Sequence, residues 1–168
     1  AYEMQGLTED DLIDFTPKLR EEALAILDDY VWGPFFTPPT LIDDRPGGTQ
    51  GSLVVPGLVG GTDWNGAGVD PETGLLYGPS VNAFSVRNYR EPGPGEGATL
   101  NIIENRGAGT RGPTMPQGLP LFKPPYSRMT AIDLGTGDHV WMQPMGSGDR
   151  IRNHPLLRDL DLPPLGGD

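Results

Sequence analysis

Ala131-Ile132-Asp133-Leu134-Gly135-Thr136-Gly137-Asp138-His139-Val140-Trp141 reads as one whole hairpin of a repeating β-architecture. Met129, Ala131 and Asp133 alternate along a short strand and so share one of its faces. Asp133 to Gly137 then makes a tight turn, in which the carboxylate caps backbone N–H groups and Gly137 takes a positive φ. Val140 and Trp141 begin the return strand, and the indole is large enough to cover a neighbouring sheet.

A weaker copy, Gly68-Val-Asp70-Pro-Glu-Thr73-Gly74-Leu-Leu-Tyr77, lies upstream. Asp70, Thr73 and Gly74 stand where Asp133, Thr136 and Gly137 stand in the first. Gly68 takes the place of the alanine, and Tyr77 supplies an aromatic ring one place early. Recurrence of such a hairpin is the mark of propeller blades. The alternative is a pair of unrelated β-turns, since Asp-x-x-Thr-Gly by itself is common.

Composition points the same way. The 168 residues include 25 Gly and 19 Pro, too many for a compact helical protein and suited to short strands joined by many turns. Three Trp and alternating apolar runs such as Ser52-Leu-Val-Val-Pro argue for ordered β-structure rather than disorder. At roughly 40–50 residues per blade, the chain has room for about three blades, too few to close a ring. Residues 1–168 are therefore expected to be an incomplete propeller segment, completed by other polypeptide. The net charge of −11 argues against a nucleic-acid partner, because phosphate binding needs clustered Lys and Arg. No apolar run is long enough to span a bilayer, and no signal peptide is visible. Without cysteine there are no disulfides or thiolate metal sites here.

Along the chain, a helix is predicted over about residues 17–31. Thr16 is its N-cap, Pro17 takes the first helical position, and Glu21 and Glu22 lie near the positive end of the dipole. Leu19, Ala23, Ile26, Leu27 and Tyr30 form an apolar face, and Gly33-Pro34 stops the helix. Such a helix either packs on a β-scaffold or docks a partner. Short strands follow at 51–56, 75–79 and 81–89, then a Gly/Pro-rich loop over about residues 90–118. The end, from Ile151, reads as a Pro-rich connector after which more chain should follow.

Several of these stretches occur together and in order. They are Thr37-Pro-Pro, Gly60-Gly-Thr-Asp63-Trp64-Asn-Gly-Ala, Asp70-Pro-Glu-Thr-Gly-Leu-Leu-Tyr, Gly118-Leu-Pro-Leu-Phe-Lys-Pro-Pro-Tyr, the full hairpin motif, and Ile151-Arg-Asn-His-Pro. The whole resembles the pyrroloquinoline-quinone-dependent (quinoprotein) dehydrogenases, nearest the glucose and alcohol dehydrogenase branch. Ala-x-Asp-x-x-Thr-Gly-x-x-x-Trp is similar to that family's tryptophan-docking motif. The resemblance implies an all-β fold, part of an eight-bladed β-propeller with an inserted N-terminal helix. It implies oxidation of an alcohol or aldose by hydride transfer to the quinone, with Ca2+ as Lewis acid. It also implies a periplasmic enzyme, a cytochrome or quinone as electron acceptor, and remaining blades on another chain or elsewhere in the same polypeptide.

In the family, the general base, most calcium ligands and the tryptophan beneath the quinone precede this segment. No catalytic residue or metal ligand is therefore assigned here. The cofactor-binding candidates carried over are Asp63 and Trp64, which match a Gly-Gly-Thr-Asn-Trp run whose Asn contacts the quinone. Asp63 departs from the pattern, because an ionised carboxylate accepts hydrogen bonds but cannot donate them. It should repel an anionic quinone unless a cation intervenes, and such surroundings favour its protonated form. The alternative is a turn-holding Asp63 in front of a core Trp64.

Lys123 is a further candidate, against a solvated lysine. Arg106 and Arg111 could act at the substrate's access route, against a surface loop. His139 and His154 are too far apart for a zinc site. Asp43, Asp44, Asp159 and Asp161 lack calcium-loop spacing and read as solvated acidic faces. The competing function is a non-catalytic propeller scaffold of the bacterial envelope; the segments 60–67 and 119–126 favour the enzyme.

Overall fold

A computed structural model describes residues 2–62, 66–97, 100–105 and 112–167. Among them are eight strands: β1 Thr40–Leu41, β2 Ser52–Val54, β3 Gly68–Asp70, β4 Leu75–Val81, β5 Ser85–Arg90, β6 Ile103–Glu104, β7 Ser127–Asp133 and β8 His139–Pro144. Two α-helices accompany them, α1 Pro17–Leu27 and α2 Asp149–Arg152. The chain forms two compact units, one of Ala1–Met4, Val59–Ala83 and Lys123–Asp168, the other of Gln5–Leu58 and Phe84–Phe122.

The first unit grows from the two Asp-x-x-Thr-Gly turns. Asp70 accepts from Glu72 N at 3.0 Å, and Gly74 (φ +69) donates back to the Asp70 carbonyl at 2.9 Å. Asp133 accepts from Gly135 N at 2.7 Å, and Gly137 (φ +80) donates to the Asp133 carbonyl at 2.7 Å. Each turn closes a hairpin, β3–β4 and β7–β8. The hairpins join through β4–β7 pairing, so the sheet is an antiparallel meander in the order β3-β4-β7-β8. Leu75 lies opposite Asp133, which puts both turns at one end of the sheet, and Leu134 N donates to the Gly74 carbonyl at 3.0 Å. Residues 82–126 connect β4 to β7 at the other end.

The register explains the early aromatic of the upstream copy. Gly68 pairs with Tyr77, Tyr77 with Ala131, and Ala131 with Trp141. A bulge between Ala131 and Ile132 absorbs one extra residue on β8. Tyr77 and Trp141 thus hold equivalent places, and their rings meet at 5.9 Å beside a fully buried Ala131. At the unit's end, α2 and a 3-10 turn at Arg158–Leu160 fold the chain back onto β7. Gly167 N donates to Ser127 Oγ at 2.7 Å, and Tyr126 N to the Leu165 carbonyl at 2.8 Å. Gly166 fits because a Cβ there would come within 2.1 Å of the Ser127 carbonyl oxygen. The connector is a folded segment held by hydrogen bonds.

In the second unit, Thr16 Oγ1 accepts from Leu19 N at 3.2 Å, and Pro17 opens α1 where its missing N–H loses no bond. Leu19, Ala23 and Leu27 are its buried residues. The helix stops at Leu27, four residues short of the predicted end at 31. Gln50 N bonds the Asp29 carbonyl, Val31 N bonds the Gly51 carbonyl, and Leu53 N bonds the Val31 carbonyl. This ladder draws residues 29–31 out of helical register before Gly33 is reached. Glu21 and Glu22 also fall beyond the first turn, so they contribute little to the helix dipole. Glu22 instead accepts from Gln117 Nε2 at 2.5 Å.

Central β5 pairs with β1 in parallel and with β2 and β6 antiparallel. Arg87 on β5 forms an ion pair with Glu104 on β6. The predicted loop over 90–118 therefore contains a short strand. Core side chains stand at the loop's end and just beyond it, with Met115, Leu119 and Leu121 buried. Ile13 N bonds the Leu121 carbonyl at 2.9 Å, and Phe122 meets Phe84 edge-on at 4.3 Å.

Candidate cofactor site

The run that leads to Asp63 is fixed to the end of β4 remote from the two turns. Gly61 N donates to the Val81 carbonyl at 2.7 Å, and Val81 N returns to the Gly61 carbonyl at 3.1 Å. Gly61 takes φ +86, a conformation that a side chain would strain. Thr62 Oγ1 donates to the Pro79 carbonyl at 3.1 Å. Pro79 is tolerated within β4 because β3 pairs only with Leu75 to Tyr77, leaving no ladder bond there for its missing N–H to make. Asp63 and Trp64 themselves lie outside the described residues, as do Arg106 and Arg111.

The same end of β4 receives the N-terminal residues. Tyr2 OH bonds Thr62 Oγ1. The Glu3 carboxylate accepts from Arg128 Nε and an Arg128 terminal nitrogen, both at 2.8 Å, and from Ser80 Oγ at 2.6 Å. Ser80 and Arg128 face each other across β4 and β7, so one carboxylate serves both strands. The Arg128 and Glu3 side chains are only 13 % and 11 % exposed, which makes this a bidentate pair largely sheltered from solvent. Sequence reasoning missed it, since residues 125 positions apart have no shared motif or spacing.

Asn82 N bonds the Tyr126 carbonyl at 2.9 Å, which brings the chain leaving β4 to the chain entering β7. Lys123, half-buried, stands three residues before Tyr126. Burial pushes the Tyr126 phenol well above its ordinary pKa, with Arg150 opposing, so the group stays protonated.

The remaining candidates are dispersed. His139 lies on exposed β8, and His154 Nδ1 accepts from Leu156 N at 3.3 Å in the C-terminal segment. Asp43 is clasped by Arg45 through two contacts of 2.8 Å, and the guanidinium lowers its pKa to about 2. Asp44 accepts from Gln50, and Asp159 stands 3.9 Å from Arg158. Among the described residues, no three His, Asp or Glu side chains are grouped to hold a metal ion. No helix among them is long and apolar enough to cross a membrane.

Two features of the residues here bear on an anionic quinone. Lys123 is a cation on the chain entering β7, and the Gly60-Gly61 run lets a backbone approach a flat ligand closely. Asp63 is the departure, an acceptor where an amide donor is expected.

The chain is 28% identical over 156 residues to the quinoprotein glucose dehydrogenase of Escherichia coli (strain K12), an overlap covering 79% of this chain and 18% of that protein. It is 27% identical to the probable quinate dehydrogenase (quinone) of Xanthomonas campestris pv. juglandis, over 71% of this chain and 18% of the relative. With the glycerol dehydrogenase large subunit of Gluconobacter oxydans (strain 621H), identity is 29% over 67% of this chain and 17% of the relative. The chain thus spans less than a fifth of the length of these relatives. No solved structure matches it at a significant level. The family model described as glucose/ethanol/alcohol dehydrogenase, beta-propeller domain, matches residues 1–167, and the chain belongs to this PQQ dehydrogenase family.

Proposed function

We propose that the chain forms part of a pyrroloquinoline-quinone-dependent dehydrogenase, located in the periplasm, that oxidises an alcohol or aldose hydroxyl. The names of the relatives support the substrate class: glucose, quinate and glycerol each present hydroxyl-bearing carbons. The observation that carries the reading is the Gly61–Val81 pairing. It holds Gly61, two residues before Asp63 in the run matched to the family's quinone-facing segment, at the sheet end remote from both hairpin turns.

In this reading the four-stranded meander is one blade, α1 is an insertion, and further polypeptide completes an eight-bladed ring. Bound pyrroloquinoline quinone would supply the hydride-accepting group, with Ca2+ as Lewis acid and a cytochrome or quinone as the onward electron acceptor. This chain's part is to bind and orient. Gly61 and Thr62 hold the approach to the cofactor, Asp63 and Trp64 face it, and Lys123 offsets its negative charge. The general base and most calcium ligands come from other polypeptide.

The test is reconstitution of the complete protein with pyrroloquinoline quinone and calcium, followed by dye-linked turnover across alcohols and aldoses. Asp63→Asn should keep or tighten quinone affinity, because an amide adds a donor and removes like charge. Unchanged affinity and activity in Asp63→Ala would remove Asp63 from the site. Absence of both cofactor binding and turnover in the parent protein would leave a propeller scaffold instead.

A further inference from the structure

Thr62 has one hydroxyl proton, and the Pro79 carbonyl takes it at 3.1 Å. The bond between Tyr2 and Thr62 therefore has the phenol as donor and Thr62 Oγ1 as acceptor. This makes Thr62 a relay between β4 and the N-terminal residues, immediately before Asp63. Tyr2 is itself held in place. Its neighbour Glu3 is gripped by Arg128 Nε and a terminal nitrogen at 2.8 Å and by Ser80 Oγ at 2.6 Å, and the Glu3 carboxylate also accepts from Met4 N at 3.1 Å. The Tyr2 ring lies over Gly78, 3.9 Å from where a Cβ would stand. A sheltered ion pair of this kind strongly fixes geometry, since losing either partner strands the other charge. Nothing in the sheet itself requires these contacts, because the β4–β7 ladder is already complete from Leu75–Asp133 to Val81–Ser127.

We propose that Tyr2 is a positioning residue for the quinone pocket, with Glu3 as its anchor: together they fasten Thr62 to β4, and cofactor affinity depends on that fastening. The inference rests on the reading that the Gly60–Ala67 run faces the quinone. Tyr2 touches no reacting atom; it acts through Thr62.

The experiment uses the complete dehydrogenase, freed of cofactor and titrated with pyrroloquinoline quinone in the presence of calcium while protein fluorescence is followed. Tyr2→Phe keeps the ring and deletes one hydroxyl, and should weaken quinone affinity roughly three- to tenfold, the range for one neutral hydrogen bond. Thr62→Val should weaken it similarly, Thr62→Ser should retain parental affinity, and Tyr2→Phe combined with Thr62→Val should be no weaker than Thr62→Val alone. Substrate KM at saturating cofactor should stay unchanged in Tyr2→Phe. Parental affinity in Tyr2→Phe, with affinity altered in Asp63→Ala, overturns the fastening and leaves the site reading intact. Parental affinity in both overturns both. Loss of affinity in Tyr2→Phe accompanied by a changed KM and a lowered melting temperature means general destabilisation, and overturns the positioning role.

Discussion

At Asp70 the carboxylate accepts from the Thr73 hydroxyl at 2.7 Å and from the Glu72 amide at 3.0 Å. Asp133 stands in the same sequence motif, yet its carboxylate takes two amides, Gly135 N and Thr136 N, while the Thr136 hydroxyl accepts from Asp138 N at 3.2 Å. The threonine donates to the carboxylate in one turn and supports the backbone in the other. The Thr73 hydroxyl, followed by the Glu72 amide, lowers the pKa of Asp70 below its ordinary 3.8. An NMR titration of the side-chain carboxyl should therefore find the Asp70 midpoint below 3.8, and Thr73→Val should raise it. The sign for stability follows from linkage. A depressed folded-state pKa gives a contribution that is present above 3.8 and is lost as pH falls through the lower folded value. An Asp70 midpoint at or above 3.8 would contradict the hydrogen bonds as drawn. The capping role of both aspartates and the positive φ of both glycines were legible in the sequence, because they depend on residues within five positions of one another. The different use of Thr73 and Thr136 was not, because it turns on which backbone N–H the following chain presents.

Across the sheet, the row Gly68–Tyr77–Ala131–Trp141 shows what a motif position means at the level of strands. Ala131 is flanked on both sides by rings whose centroids are 5.9 Å apart, and it is fully buried. A longer side chain there pushes into the gap between the rings, while Gly68 at the row's end has open space where a Cβ would be. Ala131→Leu should thus destabilise the protein by about 1–3 kcal/mol through overpacking. Gly68→Ala should change stability by about 0.5 kcal/mol or less. Denaturant unfolding of the two variants checks the contrast, and equal losses would mean that the rings do not depend on Ala131. The sequence displayed both hairpins and the start of α1 at Thr16, since each is signalled by local chemistry. It misplaced the helix end because Val31 is captured by the segment around Ser52, a contact between residues about twenty positions apart. The aromatic offset was visible as an irregularity, but only the bulge on β8 turns it into equivalence.

For the molecule as a whole, the outer hairpin strand poses a physical problem. Both faces of β8 are exposed along its length, with Val140 at 52 %, Trp141 at 37 % and Met142 at 39 %. Its outer edge is unpaired among the described residues. A bare apolar edge strand is prone to pair with other chains, and proteins ordinarily cover, twist or charge such edges. β8 carries no lysine or glutamate, its bulge lies at Val140 and its proline is the last residue, so Trp141, Met142 and Gln143 between them depend on cover. In our reading an adjoining blade supplies it, and this gives one pair of substitutions opposite effects in two settings. Produced as residues 1–168 alone, the chain should self-associate, and Val140→Lys with Met142→Glu should reduce that association in sedimentation measurements. Within the complete protein, the same two charges would lie against a neighbouring sheet without partners and should lower the melting temperature. If the charged variant is as stable as the parent in the complete protein, β8 faces solvent there as well. The idea that a further blade packs against Trp141 would then be abandoned, while the meander and its hairpins would stand.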